Sequence, residues 1–197
     1  MRRLIACAAL AFCVSIGLAQ FVNAQTGAVE VLDDAVVYPE HAASLEAVHF
    51  ESLKYNLGKE WVPFRNGKYS KKYKPFGGAD AEIEDVWLFD EKDGVRQYAL
   101  VSIYFLDYGG SSSSEGYVTL LEVRNGRLVQ TQQFSYDAQA PGTGASFDPS
   151  KTTLTVVGRS DDHTPNCCPE HVDVVTYSWA GELFQQTGFE VRPVHSK

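Results

Sequence analysis

Beyond Phe50 the hydrophobic positions of the chain follow the short periods that are typical of β-strands. Apolar and polar side chains alternate in short blocks, and groups of Gly, Pro, Asn and Asp separate the blocks. Residues 97–106 are nearly continuous in apolar side chains and are bounded by turn residues. A run of this kind predicts a central strand that is covered on both faces.

Turn residues at regular spacing indicate how the strands are paired. The Asn-Gly pairs 66–67 and 125–126 tolerate positive φ and therefore favour tight hairpin turns. The second pair predicts a hairpin of residues 117–123 with 127–136, and Ala180-Gly181 predicts a last hairpin of 172–179 with 183–186. The pattern predicts a mainly β fold: a single antiparallel β-sandwich or strongly curled sheet of about eight short strands.

The first part of the chain has a different pattern. Residues 25–34 are small, polar and acidic and predict a loosely held arm, and residues 39–48 could form a short helix with Pro39 in its first turn. We therefore expect a leader at 1–24, an N-terminal arm with at most a short helix at 25–45, one β-rich domain at 46–190 and a C-terminal tail at 191–197.

The leader has the pattern of a secretory signal peptide. Arg2 and Arg3 precede an uncharged apolar run over residues 4–19, and Val22-Asn23-Ala24 supplies the small residues of a cleavage site. The apolar run is shorter than the about 20 residues of a transmembrane helix. We expect cleavage near Ala24, export to the periplasm or the medium, and no transmembrane segment in the mature chain.

The net charge of the chain limits the kinds of molecule that it is expected to bind. The full chain has a net charge of −8, and without Arg2 and Arg3 it keeps 15 basic and 25 acidic residues, a net charge of −10. An acidic chain is a poor candidate for binding nucleic acid or an anionic membrane, because phosphates require a basic surface. The one basic run is predicted to be a solvated loop between strands and comprises Lys68, Lys71, Lys72 and Lys74.

Two of the four cysteines lie in the leader, so the mature chain keeps Cys167 and Cys168. Thiols pair in an oxidising compartment, and the only intramolecular partner of each cysteine is its neighbour. Adjacent Cα atoms lie about 3.8 Å apart, below the usual disulfide span of about 4.4–6.8 Å, so the bond would be strained. We predict a vicinal disulfide, with two free buried thiols or an intermolecular bond as the alternatives.

The loop around the cysteines is the first candidate for a binding site. His163, Asn166, Pro169 and His171 surround the cysteine pair. A metal site is the alternative interpretation, because imidazole and thiolate suit zinc or copper; its ligands would be His163, Cys167, Cys168 and His171. Adjacent cysteines rarely both reach one ion, so we predict no metal and no cofactor.

No catalytic motif stands out. The serines of residues 111–114 have the composition of a linker, without a Gly-x-Ser-x-Gly turn. Adjacent acids such as Glu84 and Asp85 would point to opposite faces of a strand, which argues against a shared acid–base pocket. Asp90-Glu91-Lys92-Asp93-Gly94 has the acids of a calcium loop, but Lys92 interrupts its alternation of oxygen ligands.

Several motifs occur in an order that can be compared with a family. They are the hairpin around Trp61-Val62-Pro63-Phe64-Arg65-Asn66-Gly67, an acidic turn ending in Asp93-Gly94, the Gly/Ser loop at 109–114, and Cys167-Cys168-Pro169 followed by Val175-Thr176-Tyr177. Over residues 53–184 the chain resembles a family of uncharacterised exported bacterial proteins with a C-terminal Cys-Cys-Pro motif. The resemblance implies an exported β-rich protein and no particular activity; Lys92 and Gln97 depart from the family's acidic turn.

These observations predict an exported, non-catalytic β-rich module that binds a protein or a small ligand at the cell envelope, and not nucleic acid. The alternative is an envelope metal-binding or redox-sensing protein, or an enzyme, that uses the Cys167-Cys168 loop.

Overall fold

The computed structural model describes residues 29–33, 35–58, 60–109, 113–160 and 169–194. These residues form thirteen strands and two short 3-10 turns, Leu45–Ala47 and Phe50–Ser52. The strands are β1 (Val29–Leu32), β2 (Val36–His41), β3 (Lys54–Leu57), β4 (Glu60–Pro63), β5 (Lys68–Lys72), β6 (Gly78–Lys92), β7 (Val95–Asp107), β8 (Ser113–Arg124), β9 (Arg127–Asp137), β10 (Gly144–Asp148), β11 (Thr153–Arg159), β12 (His171–Trp179) and β13 (Phe184–Pro193).

The large sheet is organised around β7, the most apolar stretch of the described chain. Its order is β1-β9-β8-β7-β6-β5, with β2 also paired to β9, and every pair is antiparallel. The predicted hairpin β8–β9 forms around Asn125 and Gly126, whose φ angles are 54° and 72°. The predictions of a central strand and of this hairpin are confirmed.

Both faces of the large sheet are buried because the side chains of β7 alternate between two cores. Ala99, Val101 and Ile103 face one core, where the 3-10 turns and the β3–β4 pair cover the sheet. Leu100 faces the other core, which is closed by the small sheet β10-β11-β12-β13. The fold is therefore mainly β and sandwich-like, as predicted, with more and longer strands than the pattern indicated.

Three glutamines of β9 connect the large sheet to the layers on its two faces. The side chain of Gln133 accepts a hydrogen bond from the Gly58 amide at 3.0 Å and donates to the Asn56 carbonyl at 2.7 Å. Gln130 accepts from the hydroxyl of Tyr38 at 3.0 Å, on the same face. On the opposite face, Gln132 accepts from the amide of Phe184 at 2.9 Å and donates to its carbonyl at 3.0 Å.

A β-bulge in β9 makes this arrangement possible. Leu120 of β8 pairs with Gln132 and Leu121 pairs with Gln130, so Thr131 has no Cα partner on β8. The extra residue shifts the alternation of side chains by one position. Gln130 and Gln133, three residues apart, consequently face the same core.

Both ends of the described chain correct the expected boundaries. Part of the expected arm at 25–45 is strand, because β1 and β2 pair with the two halves of β9 on either side of the bulge. Residues 191–193 of the expected tail belong to β13. The helix expected at 39–48 is replaced by the end of β2 and the single turn Leu45–Ala47.

Among the residues that the structure describes, no helix has the length and apolar character needed to cross a membrane.

Candidate functional site

The cysteine loop predicted to be the binding site lies mostly outside the described residues. These exclude 161–168, and hence His163, Asn166, Cys167 and Cys168. The described flanks are held together: Pro169 is buried, His171 begins β12, and the Ser160 amide donates to the His171 carbonyl at 3.3 Å. The described residues on either side of the loop therefore lie side by side at one end of the small sheet.

The base of this loop is joined to the large sheet by an ion pair. Arg159, the last residue of β11, lies with its Nε 3.2 Å from Oδ2 of Asp137, the last residue of β9. The other oxygen of Asp137 accepts a hydrogen bond from the Gln139 amide at 2.9 Å. Both side chains of the ion pair are partly shielded, so Asp137 is fixed where the two sheets meet.

A cleft of about 430 Å³ opens on the other side of Asp137. It lies at the end of the large sheet where β1 and β8 begin and β9 ends, with the β3–β4 turn beside it. Its lining is rich in carboxylates and hydroxyls: Glu30, Leu32, Gly58, Ser113, Ser114, Glu115, Tyr117, Ser135, Tyr136, Asp137 and Gln139. The volume lies within the range of about 300–1,000 Å³ that is usual for small-ligand sites.

Glu115 and Tyr117 form the polar pair of the cleft. They lie two apart on β8, so their side chains point to the same face, and the Tyr117 hydroxyl donates to the Glu115 carboxylate. Burial raises the pKa of Tyr117 well above its usual value, and the hydrogen bond to Glu115 and the negative charges of Glu30 and Glu60 raise it further. Tyr117 therefore stays protonated and remains a donor at neutral pH.

A glycine of β8 makes room for the ring of Tyr136 on the sheet face opposite Glu115 and Tyr117. Gly116 lies opposite Tyr136 on β9, and a Cβ atom on Gly116 would lie only 1.9 Å from Cζ of that ring. The ring of Tyr136 thus occupies the space above β8 that any other side chain would fill. This packing fixes Tyr136 at the boundary between the cleft and the core that faces the small sheet.

The cleft is negatively charged. Asp137 is neutralised by Arg159, whereas Glu30 and Glu115 are exposed and form no ion pair within the described part of the chain. The described lining contains no histidine, cysteine or lysine. No three His, Cys, Asp or Glu residues among those described are close enough to hold a metal ion. The cleft offers acceptors to a ligand that carries N–H or O–H donors.

A second unusual carboxylate lies on β12. Asp173 is 5% exposed, and its Oδ1 has no hydrogen-bond partner among the residues that the structure describes. It lies two residues from His171 on the same face of β12, at the strand end that follows the cysteine loop. A buried carboxylate oxygen without a partner is unfavourable in the absence of a bound cation or water.

Sequence reasoning missed the cleft. Its residues come from β1, β8 and β9, which are far apart in sequence. Glu115-x-Tyr117 was the available signal, because i and i+2 on a strand share a face. Comparison of the chain with protein families, with curated proteins and with solved structures finds no match.

Proposed function

We propose that this protein is an exported, non-catalytic binding module whose cleft takes a small cationic ligand with N–H or O–H donors. The observation that carries the proposal is the composition of the cleft: two carboxylates that form no ion pair with a described residue, a buried tyrosine hydroxyl and several serine hydroxyls around about 430 Å³. Export is supported by the charged, apolar and small-residue order of residues 1–24.

The geometry favours a cation over an anion or a neutral molecule. Glu30 and Glu115 would attract a positive group electrostatically, and each could accept a charge-assisted hydrogen bond from it. The cleft is open to water, so the attraction would weaken as salt is added. Neighbouring serines would orient the ligand by accepting or donating hydrogen bonds.

Thermal unfolding of the chain that begins at Gln25, with added probes, tests the proposal. We expect spermidine and glucosamine to raise Tm, and glucose and citrate to leave it unchanged, because a ligand that binds only the folded state stabilises it. Glu115→Gln should weaken spermidine binding about fivefold or more, since it removes one charge-assisted hydrogen bond.

The matched control is Glu182→Gln. Glu182 is exposed in the turn between β12 and β13, beside Tyr98 at the opposite end of β7 from the cleft. Its loss should leave spermidine binding unchanged. Equal stabilisation by glucose or citrate, or equal effects of the two substitutions, would contradict the proposed cleft.

The second candidate function is a metal-binding or redox-sensing role of the cysteine loop, and a buried Oδ1 of Asp173 without a described partner, five residues after Cys168 in sequence, favours it. Mass spectrometry of the intact exported protein distinguishes the two candidates. A mass starting at Gln25, lower by two hydrogens and without metal, indicates a vicinal disulfide. A bound ion, or thiols that turn over a reductant, would favour the second function.

A further inference from the structure

The hairpin between β5 and β6 carries the most exposed large apolar side chain of the described chain. Phe76 is 87% exposed. It follows Pro75, and three lysines precede it: Lys71, Lys72 and Lys74. Tyr73 and Tyr108 lie beside it, and Tyr108 is itself 37% exposed. We call these six residues (Tyr73, Phe76, Tyr108, Lys71, Lys72 and Lys74) the aromatic tip.

The aromatic tip is packed firmly onto the neighbouring strand end. The Tyr73 amide donates to the Gly77 carbonyl at 3.0 Å, and the Tyr108 amide donates to the Gly78 carbonyl at 2.9 Å. Gly77 has a φ of 92°, and a Cβ atom there would lie 2.6 Å from Cα of Gly109. The backbone of the hairpin therefore lies too close to the β7–β8 connection for side chains at this point.

Both tyrosine rings are held by glycines and carboxylates. The ring of Tyr108 lies against Gly78, where a Cβ would be 2.6 Å from its hydroxyl, and burial and the nearby Asp80 carboxylate raise the pKa of that hydroxyl. Tyr73 lies against Gly109 and donates to Asp107 at 3.4 Å. Both rings are thus packed at the base of the hairpin, whereas Phe76 is 87% exposed.

The charge of the aromatic tip is opposite to that of the whole chain. Lys71 lies with its Nζ 5.5 Å from the centre of the Tyr73 ring, and Lys72 and Lys74 are exposed without an ion pair among the described residues. Lys68, by contrast, is paired with Glu82 at 3.0 Å. Lysines on an edge strand discourage edge-to-edge pairing, but that role does not explain an exposed phenylalanine between them.

We propose that the aromatic tip is a membrane-surface anchor, which inserts Phe76 into the interface of an anionic lipid bilayer. Lysine side chains can place their ammonium groups among the lipid phosphates while their stems lie along the apolar region. Tyrosine rings suit the same interfacial depth. The lysines lie on the β5 side of the aromatic tip, three strands or about 14 Å from the cleft residues of β8, whereas Tyr108 follows Asp107, which pairs with the cleft residue Ser113.

Vesicle sedimentation tests the anchor with the chain that begins at Gln25. We expect binding to phosphatidylcholine vesicles that contain phosphatidylglycerol, and little binding to phosphatidylcholine alone. Each of Lys72→Glu and Lys74→Glu should weaken binding about fivefold or more. Phe76→Ser should weaken it about tenfold, because the inserted ring is lost. All three positions are exposed, so thermal unfolding should confirm that the variants fold.

The other end of β6 supplies the matched control. The β6–β7 hairpin also carries an exposed lysine and an exposed apolar residue, Lys92 and Val95, about 45 Å along the strand from the aromatic tip. Lys92→Glu and Val95→Ser should leave vesicle binding unchanged.

Three results would overturn the proposal: no binding to anionic vesicles, equal binding to neutral vesicles, or equal effects of the control and tip variants. Binding to soluble dextran sulfate as tight as to vesicles, and insensitive to Phe76→Ser, would also overturn it, because it would show a polyanion site.

Discussion

At the scale of single residues, the glutamines of β9 form hydrogen bonds with buried peptide groups, which hydrophobic side chains cannot do. Gln132 is 2% exposed, and its amide group satisfies both the N–H and the C=O of Phe184, as a neighbouring strand would. Its nitrogen also donates to Asp33 at 3.0 Å. A buried polar side chain is tolerated here because each of its hydrogen-bonding groups has a partner.

We predict that Gln132→Leu destabilises the protein by about 1–3 kcal/mol, because both peptide groups of Phe184 lose their partner while they stay buried. Urea unfolding monitored by circular dichroism measures the change. Gln185→Leu, next to Phe184 but exposed, is the matched control and should change stability by less than about 0.5 kcal/mol. Indistinguishable unfolding midpoints of the two variants would show that these hydrogen bonds are not important.

At the scale of elements, aromatic rings hold the two sheets together. Phe89 of β6 lies at ring-centre distances of 5.0 Å from Phe147, 5.1 Å from Trp179 and 5.7 Å from Phe184, all on the small sheet side. Tyr98 of β7 lies 4.5 Å from Trp179. Such pairs add to the free energy of burying the rings.

We predict that Phe89→Ala lowers the free energy of unfolding by about 3–5 kcal/mol, since it leaves a cavity between the sheets. Phe89 is 3% exposed, whereas Phe76 is 87% exposed, so Phe76→Ala should have almost no effect on stability. Guanidinium unfolding of both variants checks the contrast. A similar loss in Phe76→Ala would mean that the aromatic tip contributes to the folded core.

The elements that the sequence predicted are those whose signal is local. A continuous apolar run predicts β7, and the Asn125-Gly126 turn predicts the β8–β9 hairpin. β1 and β2 read as a polar arm because their pairing partner, the edge of β9, is nearly a hundred residues away in sequence. The cleft was not predicted for the same reason: its residues are far apart in sequence. Glu115 and Tyr117 alone could be placed on one face, by the alternation of side chains along a strand.

At the scale of the whole molecule, buried tyrosines make folding sensitive to alkaline pH. Burial raises the pKa of five tyrosines well above the usual value: Tyr38, Tyr55, Tyr117, Tyr136 and Tyr177. The folded state therefore keeps these protons when the unfolded state has lost them. Their contribution is fully present below pH about 10 and decreases as pH rises above it.

We predict that stability falls above pH about 10 by about 1.4 kcal/mol per pH unit for each such tyrosine, and that phenolate absorbance appears together with unfolding. Tyr177→Phe should make this decline less steep, because burial alone raises its pKa. Urea unfolding across alkaline pH gives the slope. Titration of all tyrosines near pH 10 in a protein that stays folded would contradict the prediction.

Thr131 of β9, which has no Cα partner on β8, divides the strand into two parts whose side-chain alternation differs by one position. Residues before it and after it are out of phase, so amides at 130 and 133 face one layer while the amide at 132 and the ring of Phe134 face the other. Removing Thr131 would leave both sets on their present faces, because Gln132 would then follow Gln130 in regular alternation. Loss of the bulge with Thr131 kept in the pairing would instead exchange the sets beyond it: Phe134 would turn towards the β3–β4 hairpin, and Gln133 towards the core that faces the small sheet. A slip of one residue in this pairing would thus destabilise the sheet more than most changes in side-chain identity, whereas deletion of Thr131 should be tolerated better than deletion of a paired residue of β9.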